Sequence, residues 1–372
     1  MVILVLAGMI LLLASGLYWL TGRWLSLYRI DVKKRNIRLL RLGIVLLVAL
    51  FCVLWRTTIL LVMHLMALFL LMDIGAFVIR RLGAKNREEK WFCTFRRIYH
   101  SGLVPVVITC LMLAYGAYNM VHIVPTEYTV STEKVQSDYK VILLTDIHYD
   151  TVQSPDILKG KIDEINAWNP DLIVLGGDIV EEGTSKASME EVFRVLGGLK
   201  STFGTYYVYG NHDRQDYADA SNRTRTYTPQ ELQEAIESNG ITVLCDRWVP
   251  VGEELILAGR DDASRLSGRA AAEELLKDTD RERFIITADH QPLETKENAE
   301  LGVDLQLSGH THAGQIFPVG YFTDWLLEPN YGKYKEDECT LIVSSGTTGW
   351  GFPVRTQGKC EYVVINVNSK NK

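Results

Sequence analysis

No C-x-x-C pair occurs in the 372 residues, and the six cysteines are scattered at Cys52, Cys93, Cys110, Cys245, Cys339 and Cys360. That spacing excludes a zinc ribbon and a dense disulfide framework. It leaves room for one bridge, with Cys339 and Cys360, beside adjacent predicted strands, the best-placed pair. Acidic residues are scarce in the first third: residues 1–125 hold 4 Asp+Glu against 15 Lys+Arg, whereas the remainder holds 41 against 24. The acidic remainder has no basic stripe, which argues against nucleic acid as a partner. No basic segment precedes the first apolar run, so a cleavable signal peptide does not fit. Paired intramembrane charges are missing too, which disfavours a transporter; Asp73, His64 and His122 read as interface or helix-contact residues.

What the first third does hold is long apolar runs. Val2–Leu20 and Ser101–Val121 carry no charge and are long enough to cross a hydrocarbon core of about 30 Å at about 1.5 Å per residue. Between them, 39–55 spans if its flanking arginines snorkel, and 57–79 spans if Asp73 sits near its end. The expectation is an N-terminal four-helix transmembrane region over 1–124, with spans at 2–20, 39–55, 57–79 and 101–121. The two loops between Thr21 and Arg41 and between Arg80 and His100 are rich in Lys and Arg. By the positive-inside rule both face the cytoplasm, which places the N-terminus and everything after Val121 outside. The protein is thus expected in the cell membrane as a multi-pass chain whose partner is the lipid bilayer.

From Lys140 onward, apolar β-type runs alternate with helical segments. The runs are Val141–Leu144, Leu172–Leu175, Tyr206–Tyr209, Leu255–Ala258, Phe284–Thr287, Val303–Leu307, Leu341–Val343 and Tyr362–Ile365. Helices are expected over Pro155–Trp168, Pro229–Ser238, where Thr228 and Glu231 form a capping box, and Ala270–Leu276. Near-continuous apolar runs suit strands buried on both faces, so residues 125–372 read as one α/β domain.

Five histidines (148, 212, 290, 310 and 312) lie in this domain, each in a short polar motif just past an apolar run. The motifs are Asp146-Ile147-His148, Gly177-Asp178, Gly210-Asn211-His212-Asp213, Asp261-Asp262, His290-Gln291-Pro292 and Gly309-His310-Thr311-His312 with Gly314-Gln315 beside it. In α/β sheets ligands bind at that edge of the strands, where the loops converge. Imidazole, carboxylate and amide without thiolate suit two divalent ions, Mn, Fe, Zn or Ni. One carboxylate must bridge them, and Asp178 is the candidate. Asp146, His148 and His312 complete one site; Asn211, His290 and His310 the other, an extended loop splaying the last two histidines apart. A hydroxide between the ions would attack a phosphoester. His212 reads as the general acid, oriented by Asp213. Asp261-Asp262 reads as a structural loop, and Asp216–Arg225 as a lip beside the cleft.

In order and spacing, Asp146-x-His148, Gly177-Asp178, Gly210-Asn211-His212-Asp213, His290 and Gly309-His310-x-His312 resemble the calcineurin-like metallophosphoesterases across about residues 125–368. Ala313-Gly314-Gln315, His290-x-Pro292, Ser345-Gly346 and Pro353-Val354-Arg355 resemble its bacterial membrane-associated branch. The resemblance implies a two-sheet α/β sandwich with a dinuclear centre. The protein Ser/Thr phosphatases of the superfamily carry Asp-Arg-Gly after the bridging Asp and Glu after the Asn-His pair. Here Ile179-Val180-Glu181-Glu182 and Asp213 stand instead, which disfavours protein dephosphorylation and leaves Arg355 as the candidate phosphate anchor. Only about fifteen residues separate Val124 from the strand at Lys140, so a lipid-linked or envelope phosphoester is the expected substrate. The alternative is a non-catalytic sensor or scaffold that binds a phosphorylated ligand through the metal site.

Overall fold

The computed structural model describes residues 2–54, 57–82, 90–218, 223–265, 268–326 and 329–371. Two compact units result, Met1–Tyr115 and Gly116–Lys372.

The first unit is helical, because its long apolar runs leave backbone groups no partners except their own i−4 carbonyls. It contains α1 (Val2–Leu27), α2 (Arg35–Leu54), α3 (Thr57–Leu82), α4 (Lys90–Ser101) and most of α5 (Leu103–Met120). Among the described residues, two helices, Thr58–Leu82 and Leu103–Met120, are long and apolar enough to cross a membrane. They coincide with the expected spans at 57–79 and 101–121. The expected spans at 2–20 and 39–55 are helical as α1 and α2, and Arg35, Arg38 and Arg41 interrupt the apolar run of α2. The loop expected up to His100 contains the amphipathic α4 instead. Asp73 is paired rather than part of a path: its carboxylate meets the Arg23 guanidinium at 2.8 Å and accepts from the Tyr99 hydroxyl at 2.9 Å.

In the second unit, β1 (Ile123–Thr132), β2 (Tyr139–Leu144), β3 (Leu172–Leu175), β4 (Thr205–Tyr207), β5 (Ile241–Val243) and β12 (Cys360–Ser369) form one sheet, in the order β1-β12-β2-β3-β4-β5. The other sheet runs β10-β11-β9-β8-β7-β6, from β6 (Arg247–Val251), β7 (Leu255–Gly259), β8 (Phe284–Ala288), β9 (Leu305–Ser308), β10 (Gly332–Glu336) and β11 (Cys339–Val343). Strands β2 to β5 are mutually parallel, as are β7, β8, β9 and β11. The helices are α6 (Pro155–Lys159), α7 (Ile162–Asn166), α8 (Lys186–Leu196), α9 (Pro229–Glu237), α10 (Ala272–Leu276), α11 (Thr295–Glu300) and α12 (Val319–Leu326).

Side-chain alternation explains the layers. Val141 and Leu143 of β2 and Leu172 and Val174 of β3 pack between the sheets against Leu257, Ile286 and Leu307. Their neighbours Ile142, Leu144, Ile173 and Leu175 face outward onto Leu158, Ile165, Val192, Phe193 and Ile236 of the helices. Burial on both faces is what makes these strands read as unbroken apolar runs.

Three expectations need correction. The helix expected over Pro155–Trp168 is two short helices with the break at Gly160 and Lys161. The stretch between Val124 and Lys140, expected to lie ahead of the first strand, contains the edge strand β1, paired parallel with β12 from Ile123↔Cys360 to Thr132↔Ser369. It alternates half-buried and exposed positions between buried Ile123 and Val130, as an edge strand with one wet face does. The second unit therefore starts at Gly116, inside α5, rather than at 125. Cys339 and Cys360 are both buried and unbridged, so the one bridge the spacing left room for does not form.

Candidate metal centre

Every expected metal ligand sits just beyond the C-terminal end of a strand. Asp146 and His148 follow β2, Asp178 follows β3 and Asn211 follows β4; His290 follows β8, and His310 and His312 follow β9. The two sheets thus contribute opposite walls of one cleft. Glycines let those walls meet: a Cβ on Gly177 would lie 2.9 Å from His290 Nδ1, and one on Gly309 would lie 2.2 Å from an Asp146 carboxylate oxygen. Neither backbone can back away without moving a ligand.

Five of the seven ligands adopt left-handed backbone: Asp146 (φ 53°), His148 (43°), Asp178 (51°), His310 (71°) and His312 (50°). Such conformations cost non-glycine residues about 1–3 kcal/mol each and persist where the surroundings over-determine them, typically at functional sites. They also correct one expectation. His310 and His312 part company through a tight left-handed turn that runs on through Ala313 (φ 50°) and Gln315 (φ 45°), not through an extended loop.

The ligands gather in two clusters. Asp146, His148 and His312 bring one ligand atom each within 4.8 Å of one another, and Asp178, His290 and His310 do the same. In the first, His312 Nε2 lies 3.3 Å from both Asp146 Oδ1 and His148 Nε2. The two clusters share a carboxylate: Asp178 Oδ2 is 3.1 Å from His290 Nε2 and 3.9 Å from His148 Nε2. Second contacts choose the coordinating nitrogens. His290 Nδ1 is 2.8 Å from the Gly176 carbonyl and His312 Nδ1 is 3.2 Å from that of Thr348. A carbonyl can only accept, so each Nδ1 carries the proton and each Nε2 offers a lone pair. The Asn211 carbonyl oxygen is buried without a hydrogen-bond partner, an unpaired group that a cation would satisfy.

The charges agree with this reading. Burial pushes the Asp178 carboxyl upward, but His290, His212 and His148 outweigh it and hold it far below the usual carboxylate range. Burial alone would lower His290, yet the charges of Asp178 and Asp146 raise it to about 10. Burial, reinforced by His148 and Arg355 against the pull of Asp146, lowers His312 to about 3. Two buried carboxylates call for positive charge, which a divalent cation held there would supply in place of the His290 proton. The residues fit a pair of divalent cations.

His212 stands at the rim, with the rings of Tyr217 and Trp350 each 5.5 Å from its own. Its expected partner is wrong. Asp213 is fully buried and accepts four backbone N–H groups, those of Gly210 (2.6 Å), Asp178 (2.9 Å), Ile179 (2.9 Å) and Val180 (3.2 Å). It ties the β3 and β4 loops together and has no oxygen left for a ring. The residue that holds His212 is Glu182, whose Oε2 is 2.7 Å from Nδ1. Burial opposes protonation of His212, but the Glu182 hydrogen bond and the charges of Asp178, Glu182 and Glu181 raise it to about 9. Glu181, the preceding residue, places Oε2 3.2 Å from His148 Nδ1. The adjacent glutamates that depart from the Ser/Thr phosphatase pattern thus face one ligand and the acid.

Arg355 does not fit its expected role of phosphate anchor. It is fully buried, and its guanidinium donates to the carbonyls of His312 (2.9 Å), Ser345 (2.8 Å) and Thr348. It braces the His312 loop from behind. Arg355→Ala is expected to lower the melting temperature and metal occupancy together, while Arg355→Lys restores part of both and leaves KM unchanged. A raised KM at wild-type metal occupancy would instead return Arg355 to the substrate side. Asp261 lies between Arg214 and Arg265, 2.7 Å from each, so it is a structural loop residue. Of the expected lip Asp216–Arg225, residues 219–222 lie outside the described ones; its ends are joined by an Arg225–Asp216 ion pair of 2.7 Å.

Comparison with known proteins agrees with this centre. The family model "Calcineurin-like phosphoesterase" matches residues 139–314, from β2 through the His310–His312 turn. An "Uncharacterized metallophosphoesterase" of Helicobacter pylori (strain ATCC 700392 / 26695) is 30% identical over 250 residues, 66% of this chain and 64% of that protein. One of Aquifex aeolicus is 29% identical over 277 residues, 71% of this chain and 98% of its own length. A "Transmembrane protein with metallophosphoesterase domain" of Bos taurus is 32% identical over 241 residues, 60% of this chain and 51% of that protein. The chain thus matches less than two thirds of the length of the Helicobacter relative. The matched segment contains all seven expected ligands and His212. On these grounds the chain belongs to the calcineurin-like phosphoesterase superfamily.

Proposed function

We propose that this protein is a membrane-anchored phosphoesterase that works with two divalent cations and hydrolyses a lipid-linked or envelope phosphoester, monoester or diester. The observation that carries the reading is the position of Asp178, whose one carboxylate oxygen faces both histidine clusters at 3.1 and 3.9 Å. Cations held by Asp146, His148, Asp178, Asn211, His290, His310 and His312 would activate water and polarise phosphoryl oxygens. The chain's own residues would do the rest. Asp146 and Asp178 balance the positive charge, and Gly177 and Gly309 let the two walls close to the needed spacing. His212, protonated and held at Nδ1 by Glu182, presents its other nitrogen to the departing oxygen and delivers the proton there.

Anchoring is supported by the two helices long and apolar enough to cross a membrane and by the printed name of the Bos taurus relative. The basic loops of residues 21–41 and 80–100 support an outward-facing metal centre in a multi-pass chain. The full chain, purified in detergent and loaded with Mn, is expected to hydrolyse aryl phosphates and to distinguish among monoesters, diesters and lipid head groups. Two bound metals without turnover of any of these would favour the sensor reading instead. For orientation, Cys245 is exposed, and in a chain where it is the sole thiol an impermeant reagent should label it in intact cells. Labelling only after lysis would reverse the topology.

A further inference from the structure

The turn that carries His310 and His312 continues into α12 (Val319–Leu326), whose sequence is VGYFTDWL. This helix leaves its aromatic side chains in solvent: Trp325 is 79% exposed, Tyr321 67% and Phe322 56%. The exposure is not the product of a loose helix. A Cβ on Gly314 would lie 2.2 Å from Gly320 Cα, so the helix backbone is seated directly on the ligand turn. Gly320 N–H donates to the Gln357 side chain at 3.1 Å, and its carbonyl accepts from Asn330 at 3.2 Å. A firmly held helix with three outward aromatics marks an interaction surface.

What covers it is indicated by the loop beneath. Residues 355–358 hold α12 on one side, through Gln357 and through Thr356, which accepts from the Phe317 N–H at 3.0 Å. The same four residues hold the last turns of α5: Gly116 accepts from the Arg355 N–H at 3.0 Å, and Asn119 donates to the carbonyls of Arg355 (3.1 Å) and Gly358 (2.8 Å). Gly116–Met120 belong to the second unit, and they end one of the two helices long enough to cross a bilayer. One short loop therefore separates the end of such a helix from the aromatic face. Tyr, Trp and Phe side chains, with apolar bodies and, in two of them, a polar tip, suit the headgroup boundary of a bilayer. Exposed Trp350 lies 5.5 Å from the His212 ring, and its backbone N–H donates at 2.8 Å to Gln315, in the turn that leads into α12.

We propose that the outer face of α12 is a bilayer contact, with Tyr321, Phe322 and Trp325 entering the lipid interface beside the metal centre. A phosphoester carried by a lipid would then reach His212 from the membrane surface. This inference rests on the anchored reading of the chain, and the test keeps the two apart.

Cys93, Cys110 and Cys245, the exposed cysteines, are replaced by Ser. Single spin labels are placed at Trp325→Cys, at Leu111→Cys on α5, and at Lys296→Cys on α11 as an aqueous control. The full chain is reconstituted in phosphatidylcholine–phosphatidylglycerol vesicles, and collision with oxygen is compared with collision with a water-soluble nickel chelate. Oxygen is expected to win several-fold at 111 and 325, and the chelate at 296. Oxygen winning at 111 but the chelate at 325 overturns the α12 contact alone. So does a label at 325 shielded from both, which would mean a protein partner. The chelate winning at 111 as well overturns the anchoring. None of these readouts depends on catalysis, so an inactive metal centre would not confuse them.

Discussion

Asp178→Asn is expected to reduce bound metal from two ions per chain to one or none and to cut hydrolysis by about a thousandfold. The size follows from the role: a bridging carboxylate supports charge stabilisation worth several kcal/mol, and each ~1.4 kcal/mol lost is a factor of ten in rate. The substitution is chosen to leave the fold alone. Asn tolerates left-handed backbone, which position 178 requires at φ 51°, and its oxygen can still accept the His212 N–H that Asp178 Oδ1 receives at 2.9 Å. Elemental analysis of the purified chain, read beside turnover, checks both halves. A variant that keeps two metals and wild-type turnover would remove Asp178 from the bridge and leave the two clusters as independent sites.

The ligands were legible because each is a polar residue set immediately after an apolar run, and the fold obeys that punctuation. Six of the seven gather in two clusters at the strand ends, Asn211 follows β4, and each announced strand begins and ends within four residues of its run. What escaped the sequence depends on contacts formed between distant segments. Asp213 follows His212 directly, yet it turns inward to serve four N–H groups of two loops, and a residue 30 positions away takes its place. Adjacency along a chain says little about which way two neighbouring side chains point in a turn.

The missed strands have a shared cause. Edge strands need one apolar face at most, so β1, with Pro125 and Glu127 in it, does not read as a strand. Helix α9 was legible by contrast. Pro229 follows the Thr228 cap, Thr228 and Glu231 form the capping box, and Leu232 and Ile236 at helical spacing are buried. The charge on Arg355 suggested solvent or phosphate, whereas a guanidinium with five donors also suits a loop that turns three carbonyls inward. Sequence alone cannot separate those two uses of an arginine.

Proton donation can be separated from metal assembly by three substitutions. His212→Ala is expected to lower turnover by about 10²–10⁴, the usual worth of a positioned general acid, with both metals retained. The deficit should be largest for alkyl leaving groups, which need the proton, and small for nitrophenolate, which leaves without it. Glu182→Ala should show the same leaving-group dependence at reduced size, because the Nδ1 contact of 2.7 Å that aims the ring is lost. Asp213→Asn should behave differently. Its amide nitrogen would have to face backbone N–H donors in place of one carboxylate oxygen, each unmet donor costing about 1–3 kcal/mol. Melting temperature and metal content should therefore fall together, with no preference among leaving groups. If Asp213→Asn instead kept its metals and reproduced the leaving-group pattern of His212→Ala, the orienting role would return to Asp213, and Glu182 would be left as a neighbour of the ring without a part in the proton transfer.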